Sequence, residues 1–473
     1  MKKWIPAFGV EIHAELLTKT KAFSPSEVNF DSKPNTNVSP IDMGYPGAKP
    51  TVNKKMIEYA YRLAKIFKME IEEKIIFDRK NYFYPDLPKG FQITQYFKPI
   101  GKNGKFKIFV NDYSKDITIT EIHMEEDTAK QIKTDEGTLF DFNRAGIPLI
   151  EIVSDHKELS SIEEVIEYVK QIREQLIILG INDGKMENGS FRVDVNVSIR
   201  DSEKMDYGIR TEIKNLNSFK NIERALYLEI NRHIKEYSLG NIVKSTTVKF
   251  DEDKNMTIPM REKDNQYDYN FIPEGNINPI ILTTNLKEEF DKNSEKDISI
   301  FEFRNTWKDK INKTNLSIIT SKKIYFDIFQ NLFKKINFDE LVNFIVNNVK
   351  NSINNSKLKK NRINYDEILQ IIKLRKEGKI DNKKANKLIN DMFENNISNQ
   401  LEKLGKIVML SDTKIRNLIS KLIIENKEMI DNNLETRVER IEKFLMGEVM
   451  KKTKGKASPQ MISKLIREIL WEE

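Results

Sequence analysis

The stretch that decides how this sequence is interpreted is F77-D-R-K-N-Y-F-Y-P-D-L-P-K-G90, followed by Q92-I-T-Q-Y96. Neither helical nor strand periodicity explains this run of aromatic and charged residues. Pro85 and Pro88 each lack a backbone N–H donor and restrict the residue before them, so the sequence predicts a rigid, irregular loop. Ordered loops of this kind often build binding or catalytic sites.

Outward from this loop, the N-terminal part of the chain mixes helices with strands. Helical periodicity and capping residues predict helices over residues 54–67, 161–180 and about 218–240. The strands between them alternate apolar with polar residues, most clearly in F191-R-V-D-V-N-V-S-I-R200. Strands that are apolar on one face only predict an antiparallel sheet covered on one side by helices.

The C-terminal part of the chain is predicted to be all-helical. It contains an Asn- and Lys-rich segment, residues 347–361, that predicts a loop, and its last helix begins with Ser458 as N-cap and Pro459 in the first turn. A length of 473 residues fits two or three domains. We expect an α+β catalytic domain over 1–290, a helical domain over 291–405 and a second helical domain over 406–473.

The composition excludes several classes of protein and site. The chain has no cysteine, which excludes disulfides, thiol catalysis and cysteine-ligated zinc. No run approaches the roughly 18–20 apolar residues of a membrane span, and charged residues interrupt any signal-peptide core near the N-terminus. We therefore expect a cytoplasmic protein without a membrane partner. A net charge of +7 is compatible with nucleic-acid binding but supports it only weakly.

Strand alternation puts an unusual set of polar residues on one face of the predicted sheet. The set is Glu11, His13, Glu15, Glu121, His123, Glu125, Arg192, Asp194, Asn196, Ser198, Arg210, Glu212 and Lys214, with Glu126 and Asp127 at a strand end. A solvated face is the alternative interpretation, but such a face should carry many lysines in this lysine-rich chain. Imidazole beside carboxylates favours Mg²⁺ or Mn²⁺, whereas zinc prefers more nitrogen or sulfur ligands.

The sequence lacks the glycine-rich loops that cradle phosphates in other nucleotide-binding proteins. Neither G-x-x-x-x-G-K-[ST] nor G-x-G-x-x-G occurs. Any nucleotide chemistry must therefore rest on metal-bridged phosphates above a sheet.

Several ordered motifs resemble the GatB subunits of the aspartyl/glutamyl-tRNA amidotransferases. Besides the 77–90 stretch, they are G9-V-E-I-H13, H123-M-E-E-D-T-A-K130, F142-N-R-A-G-I-P-L-I-E-I-V-S154, M186-E-N-G-S-F-R-V-D-V-N-V-S198, E212-I-K-N-L-N-S-F219 and F444-L-M-G-E-V-M-K-K-T-K-G-K-A-S-P-Q460. The resemblance implies an antiparallel-sheet domain of the glutamine-synthetase and guanido-kinase type, followed by two helical domains.

The resemblance also implies an activity. The family acts as an ATP-dependent carbon–nitrogen ligase that takes its amide nitrogen from glutamine. ATP phosphorylates the side-chain carboxylate of Glu-tRNA(Gln) or Asp-tRNA(Asn). Ammonia released in a partner amidase subunit then travels through a channel and displaces phosphate. A small third subunit completes the heterotrimer, and the implied cofactors are ATP and Mg²⁺.

Site residues follow from the resemblance by position. The implied metal set is Glu11, His13, Glu125, Glu126 and Glu252, and His13, Glu125 and Glu126 are implied to be catalytic as well. Further catalytic groups on the same face are Arg192, Glu212 and Lys214, with Asp194 and Asn196 as cofactor-binding residues. Lys89, in the P-K-G turn, is also assigned to this site, where it would pair with an acidic residue to gate the channel.

This chain departs from the family pattern at several positions. Many relatives carry four zinc-binding cysteines where this chain has Ser24, Ser26, Ser39 and Asp42, so no zinc is expected. Asn270 stands where relatives usually have arginine, in D268-Y-N-F-I-P-E274, which removes a possible bidentate contact to phosphate or carboxylate.

Two alternative functions belong to other classes. One is a stand-alone carboxylate–amine ligase acting on a small metabolite, which the helical C-terminal third and the basic segment 451–456 disfavour. The other is an RNA-binding scaffold with a decayed site, which the intact Glu and His set disfavours. The choice between Glu-tRNA(Gln), Asp-tRNA(Asn) and both stays open.

Overall fold

The computed structural model describes residues 3–29, 31–262, 270–354, 363–406, 409–431, 438–453 and 456–471. The chain forms two compact units, residues 1–311 and 312–473, and each is described by itself. Among the described residues, none of the helices is both long enough and apolar enough to span a bilayer.

Strands and helices alternate in the first unit, as the sequence predicts. The strands are β1 (Trp4–Glu15), β2 (Glu70–Ile71), β3 (Lys74–Ile75), β4 (Asp78–Asn81), β5 (Phe91–Thr94), β6 (Gly101–Val110), β7 (Tyr113–Glu126), β8 (Lys130–Thr134), β9 (Gly137–Asp141), β10 (Pro148–Ser154), β11 (Phe191–Asp201), β12 (Thr211–Leu216), β13 (Thr246–Asp251), β14 (Met256–Glu262), β15 (Asn270–Pro273) and β16 (Ile280–Ile281). The helices are α1 (Lys54–Ile66), α2 (Ile162–Leu179), α3 (Phe219–Ser238), α4 (Thr284–Asn293) and α5 (Ile300–Trp307).

The main sheet has nine strands in the order β14-β13-β12-β11-β1-β10-β7-β6-β2. Its neighbouring strands are antiparallel, as predicted, with one exception. The prediction is wrong for β12 and β13, which run parallel because α3 carries the chain back to the same end of the sheet before β13 begins. The sheet is therefore mixed.

The apolar face of the sheet forms the core of this unit. Val193, Val195 and Val197 alternate along β11 and are buried, and α1, α2 and α3 pack against strands of the sheet. The predicted caps are present: the Ser161 hydroxyl accepts from the Glu164 N–H, and Gly180 ends α2 in the left-handed conformation that glycine tolerates best. The polar side chains of the same strands are left to form a site.

The 77–90 stretch is only partly the irregular loop that the sequence predicts. Residues Asp78–Asn81 form β4, which pairs with β5 and β15 in a small three-stranded sheet. These four residues precede Pro85, so each keeps a backbone N–H donor and can join a ladder. Residues 82–90 make the loop, closed by a hydrogen bond from the Tyr82 N–H to the Gly90 carbonyl.

The first unit extends beyond residue 290, where the sequence predicts the domain to end. It includes α4 and α5 because both pack on its earlier helices. Arg62 of α1 binds Asp297 through two nitrogens, and Arg304 of α5 donates to Glu174 of α2 at 2.6 Å. These charge-assisted contacts join the two helices to the sheet domain.

Helices make up the second unit in the described residues. They are α6 (Lys313–Thr320), α7 (Lys323–Leu332), α8 (Phe338–Phe344), α9 (Lys350–Asn354), α10 (Tyr365–Lys376), α11 (Asn382–Glu394), α12 (Ser398–Gly405), α13 (Asp412–Glu425), α14 (Lys427–Asp431), α15 (Val438–Thr453) and α16 (Pro459–Trp471), with a π-helical turn at Ile345–Val349. The predicted loop over 347–361 is wrong for its first half, which is helical, and residues 355–362 lie outside the described part.

The last four helices share a hydrophobic core of their own. Ile415 and Ile419 of α13 pack with Leu445 of α15 and Ile462 of α16. Ser458 caps α16 as predicted, because its hydroxyl accepts from the Met461 N–H at 3.1 Å. The division of this unit into separate domains at residue 405 stays a prediction.

Candidate functional site

A cleft of about 510 Å³ lies above the polar face of the main sheet. Five central strands supply one wall, and residues from β4 and the loop after it supply another. The charged residues that line it are Glu11, His13, Lys80, Glu125, Asp127, Glu151, Arg192, Asp194, Glu212 and Lys214. The sheet therefore gathers most of the predicted site residues into one cleft.

The centre of the cleft is a cluster of one imidazole and two carboxylates. His13 Nε2 lies 3.6 Å from Glu125 Oε1 and 3.7 Å from Glu151 Oε1. One ligand atom from each of the three residues can be chosen so that all lie within 4.8 Å of one another. His13 and Glu151 are direct partners on β1 and β10, so the strand register holds them side by side.

The electrostatics of this cluster suit a divalent cation. Burial and the neighbouring Glu151 carboxylate raise the pKa of Glu125. Burial also acts to raise the pKa of Glu151, but the imidazoles of His13 and His123 hold it below its ordinary value. A cation between the carboxylates would relieve their repulsion, and mixed oxygen and nitrogen ligands fit Mg²⁺ or Mn²⁺. The residues present therefore fit the implied metal.

Glu151 is the member of the cluster that sequence reasoning missed. It lies inside the segment that carries the family resemblance, but only the motif as a whole was used. Its signal was available, because Ile150 and Ile152 are apolar and fully buried, which leaves Glu151 as the acidic residue facing the other way. An acidic residue in an otherwise apolar strand predicts a site.

Next to the cluster, predicted residues of three strands are joined by polar contacts. Asn196 donates to Glu11 at 2.9 Å, and burial raises the pKa of Glu11. Lys214 Nζ lies 2.9 Å from Asp194 Oδ2 and 2.8 Å from Glu212 Oε1. Although burial opposes it, these two carboxylates raise the pKa of Lys214, so the ammonium is retained.

A second charged group closes one end of the cleft. Asp127 is buried and accepts from Arg144 at 2.6 Å and from Arg192 at 2.8 Å. Burial acts to raise the pKa of Asp127, but the two guanidinium groups hold it below its ordinary value. The buried Nε of Arg192 has no hydrogen-bond partner among the described residues, which leaves a donor for an anion in the cleft.

Three of the predicted residues lie apart from this cluster. Glu126 follows Glu125 and therefore faces the other way, where it forms a buried ion pair with Lys89 and accepts from the Ile93 N–H. Glu252 accepts from Asn221 at 3.1 Å. The structure thus pairs Lys89 with an acidic residue but does not bring Glu126 or Glu252 to the imidazole.

Comparison with known proteins matches both units. The family profile described as "GatB/GatE catalytic domain" matches residues 6–288, and the one described as "GatB domain" matches residues 327–470. The chain belongs to the GatB/GatE family. The first match contains every residue of the cleft.

Similar curated proteins align with nearly the whole chain. One from Mesoplasma florum is 38% identical over 97% of this chain and 97% of its own length. Another, from Mycoplasmopsis pulmonis, is 39% identical over 98% of each. A third, from Caldanaerobacter subterraneus subsp. tengcongensis, is 36% identical over 99% of each. All three GatB/GatE relatives are named as the B-type subunit of aspartyl/glutamyl-tRNA(Asn/Gln) amidotransferase.

Proposed function

We propose that this chain is the component of a tRNA-dependent amidotransferase that activates a carboxylate with ATP and then amidates it. The substrate is Glu-tRNA(Gln), Asp-tRNA(Asn) or both. An amidase subunit supplies ammonia from glutamine, a small third subunit completes the complex, and the complex works in the cytoplasm. The observation that carries the proposal is the His13–Glu125–Glu151 cluster at the centre of a polar cleft.

The chemistry needs two steps because a carboxylate does not accept ammonia. A carboxylate oxygen first takes the γ-phosphoryl group of ATP, which releases ADP and leaves an acyl phosphate. The nitrogen of ammonia then bonds to the carbonyl carbon, the bond from that carbon to the phosphate oxygen breaks, and phosphate and a proton leave. Exclusion of water protects both the acyl phosphate and the ammonia.

Each part of the cleft has a role in this scheme. A divalent cation, when bound, neutralises the phosphate charge, and His13, Glu125 and Glu151 would hold it, with Glu11 beside them. Arg192 offers its unpaired Nε to a phosphate or carboxylate oxygen. Lys214 is held between Asp194 and Glu212, so its ammonium stays in place for a substrate anion.

Lys89 and Glu126 have a separate role in the proposal. Their buried ion pair lies on the other side of β7 from Glu125, and Lys89 belongs to the loop of the 77–90 stretch. A pair that opens to let a small neutral molecule pass would admit ammonia from that side. The supporting observation is that neither partner is more than slightly exposed.

The experiment uses the full chain expressed with its partner subunits. His13→Ala and Glu125→Gln should abolish ATP-dependent amidation of charged tRNA while glutaminase activity in the partner persists. Glu288→Gln, which changes an exposed glutamate of the same unit, serves as the matched control and should behave as the wild type. Near wild-type amidation by His13→Ala would contradict the proposal and favour a scaffold with a decayed site.

A further inference from the structure

The cleft has a second wall that belongs to the small sheet. Lys80 of β4 and Tyr82, in the loop after β4, line the same cavity as His13, Glu125 and Glu151. Neither residue is on the polar face of the main sheet, where the predicted catalytic residues lie. Lys80 therefore brings a positive charge to the cleft from a direction that the main sheet does not supply.

The strand that carries Lys80 is held on both sides. Lys80 is the direct partner of Phe271 on β15 and of Gln92 on β5. Arg79, the residue before it, faces away from the cleft, where its guanidinium binds Glu274 at 2.6 and 2.9 Å. Tyr96 stacks on Phe271 at 3.8 Å between ring centroids. A strand fixed in this way presents Lys80 at a defined place.

The charge of Lys80 reaches the centre of the cleft. Burial and the Glu151 carboxylate raise the pKa of Glu125, and the ammonium of Lys80 opposes that rise. Burial also acts on the pKa of Glu151, and Lys80 is among the cations that favour the ionised form of that residue, after His13 and His123. Without a ligand, Lys80 thus interacts favourably with the carboxylates that a metal ion would need.

We propose that Lys80 is a phosphate-binding residue, which holds the phosphate chain of a nucleoside triphosphate against the His13–Glu125–Glu151 cluster from the wall opposite the main sheet. This inference rests on the proposed function and assigns a residue and a wall to its nucleotide. Lysine suits the role because its ammonium is a compact charge with three donors.

The proposal gives two effects of opposite sign when the charge of Lys80 is removed. In the cleft without nucleotide, Lys80 and a divalent cation compete for the same carboxylates, so removing Lys80 should tighten metal binding. In the cleft with nucleotide, Lys80 contacts the phosphates, so removing it should weaken nucleotide binding. A residue that only stabilises the fold would weaken both.

The experiment measures both affinities on the full-length chain in its complex. Binding of Mn²⁺ alone should be roughly threefold to tenfold tighter in Lys80→Met than in the wild type. Binding of a non-hydrolysable ATP analogue with saturating Mg²⁺ should be about tenfold weaker or more. Lys80→Arg, which keeps the positive charge, should leave the Mn²⁺ affinity near that of the wild type.

Lys98→Met is the matched control. Lys98 follows β5 in the same part of the chain, lies 3.5 Å from Glu72 and does not line the cleft. It should change neither affinity. The inference is overturned if Lys80→Met leaves both affinities unchanged or weakens both. If His13→Ala instead leaves Mn²⁺ binding and amidation intact, the proposed function itself fails, whatever Lys80 does.

Discussion

Lys21 Nζ lies 3.4 Å from Asp42 Oδ2, and neither side chain reaches solvent to any real extent. The Asp42 carboxylate also accepts from the hydroxyls of Ser24, Ser26 and Ser39 at 2.7, 2.6 and 3.0 Å. These serines and Asp42 occupy the positions where many relatives are expected to have cysteines. In this chain hydrogen bonds and one buried ion pair hold the loop together.

Asp42→Asn should destabilise the protein strongly, because it leaves the Lys21 ammonium buried without its partner. We expect a loss of about 3–5 kcal/mol in the free energy of unfolding, measured by urea denaturation. Asp31→Asn, in an exposed part of the same loop, is the control. A combined Lys21→Met and Asp42→Asn variant should recover part of the loss, and equal stability of the Asp42→Asn variant and the wild type would refute the ion pair's role.

His233 should make stability depend on pH in the acidic range. Its side chain is fully buried, and burial together with the charge of Arg232 lowers its pKa from 6.5 to about 4, against the opposing effect of Glu229. Below pH 6.5 the unfolded chain takes up a proton that the folded protein does not take up until about pH 4. Stability is therefore lost as pH falls through this range, by about 3 kcal/mol from this group.

The variant His233→Gln isolates this contribution, since the amide can still hydrogen-bond to Thr211, whose hydroxyl oxygen lies 2.8 Å from His233 Nε2. Between pH 6.5 and about 4 the variant should lose less stability than the wild type, measured by denaturant titration at several pH values. Parallel pH profiles for the two proteins would show that His233 does not carry the dependence.

Breaking the Lys89–Glu126 pair should uncouple the two ammonia sources. Lys89→Met leaves the Glu126 carboxylate buried without its cation, which favours its neutral form and changes the passage beside it. We expect amidation with glutamine to fall at least about tenfold, while amidation with added ammonium salt falls much less. Equal losses with both nitrogen sources would mean that the pair serves the fold or the chemistry and not the delivery of ammonia.

The basic segment before α16 is proposed to contact tRNA phosphates. Lys451 and Lys456 are exposed, whereas Lys454 and Gly455 lie outside the described residues. Replacing Lys451 and Lys456 by glutamine should raise the KM for charged tRNA several-fold and reduce the salt dependence of tRNA binding, because fewer counterions are released. Lys443→Gln, in the middle of α15, is the control. An unchanged KM would assign this domain a structural role.

The polar face was predictable because strand alternation depends only on local order. His13, Glu125, Arg192, Asp194 and Lys214 share the cleft for that reason. Sequence reasoning failed where long-range geometry decides. Glu126 was grouped with Glu125, yet the same alternation turns it towards Lys89. Lys80 was not selected, because nothing local shows that β4 leaves the main sheet and forms the opposite wall.

The same distinction explains the fold. Caps such as Ser161 and Ser458 were predicted correctly because their hydrogen bonds reach only three residues along the chain. The parallel pairing of β12 with β13 and the packing of α4 and α5 on the first unit depend on contacts between distant segments. No local pattern near residue 290 records those contacts, so the boundary was placed too early.

The most direct test of the account is metal binding by the full-length chain in its complex, compared between the wild type and Glu151→Gln. The account predicts one Mn²⁺ ion per wild-type chain. In Glu151→Gln it predicts binding weakened about tenfold or more, together with loss of ATP-dependent amidation and retention of glutaminase activity. Wild-type Mn²⁺ affinity and wild-type amidation in Glu151→Gln would contradict it.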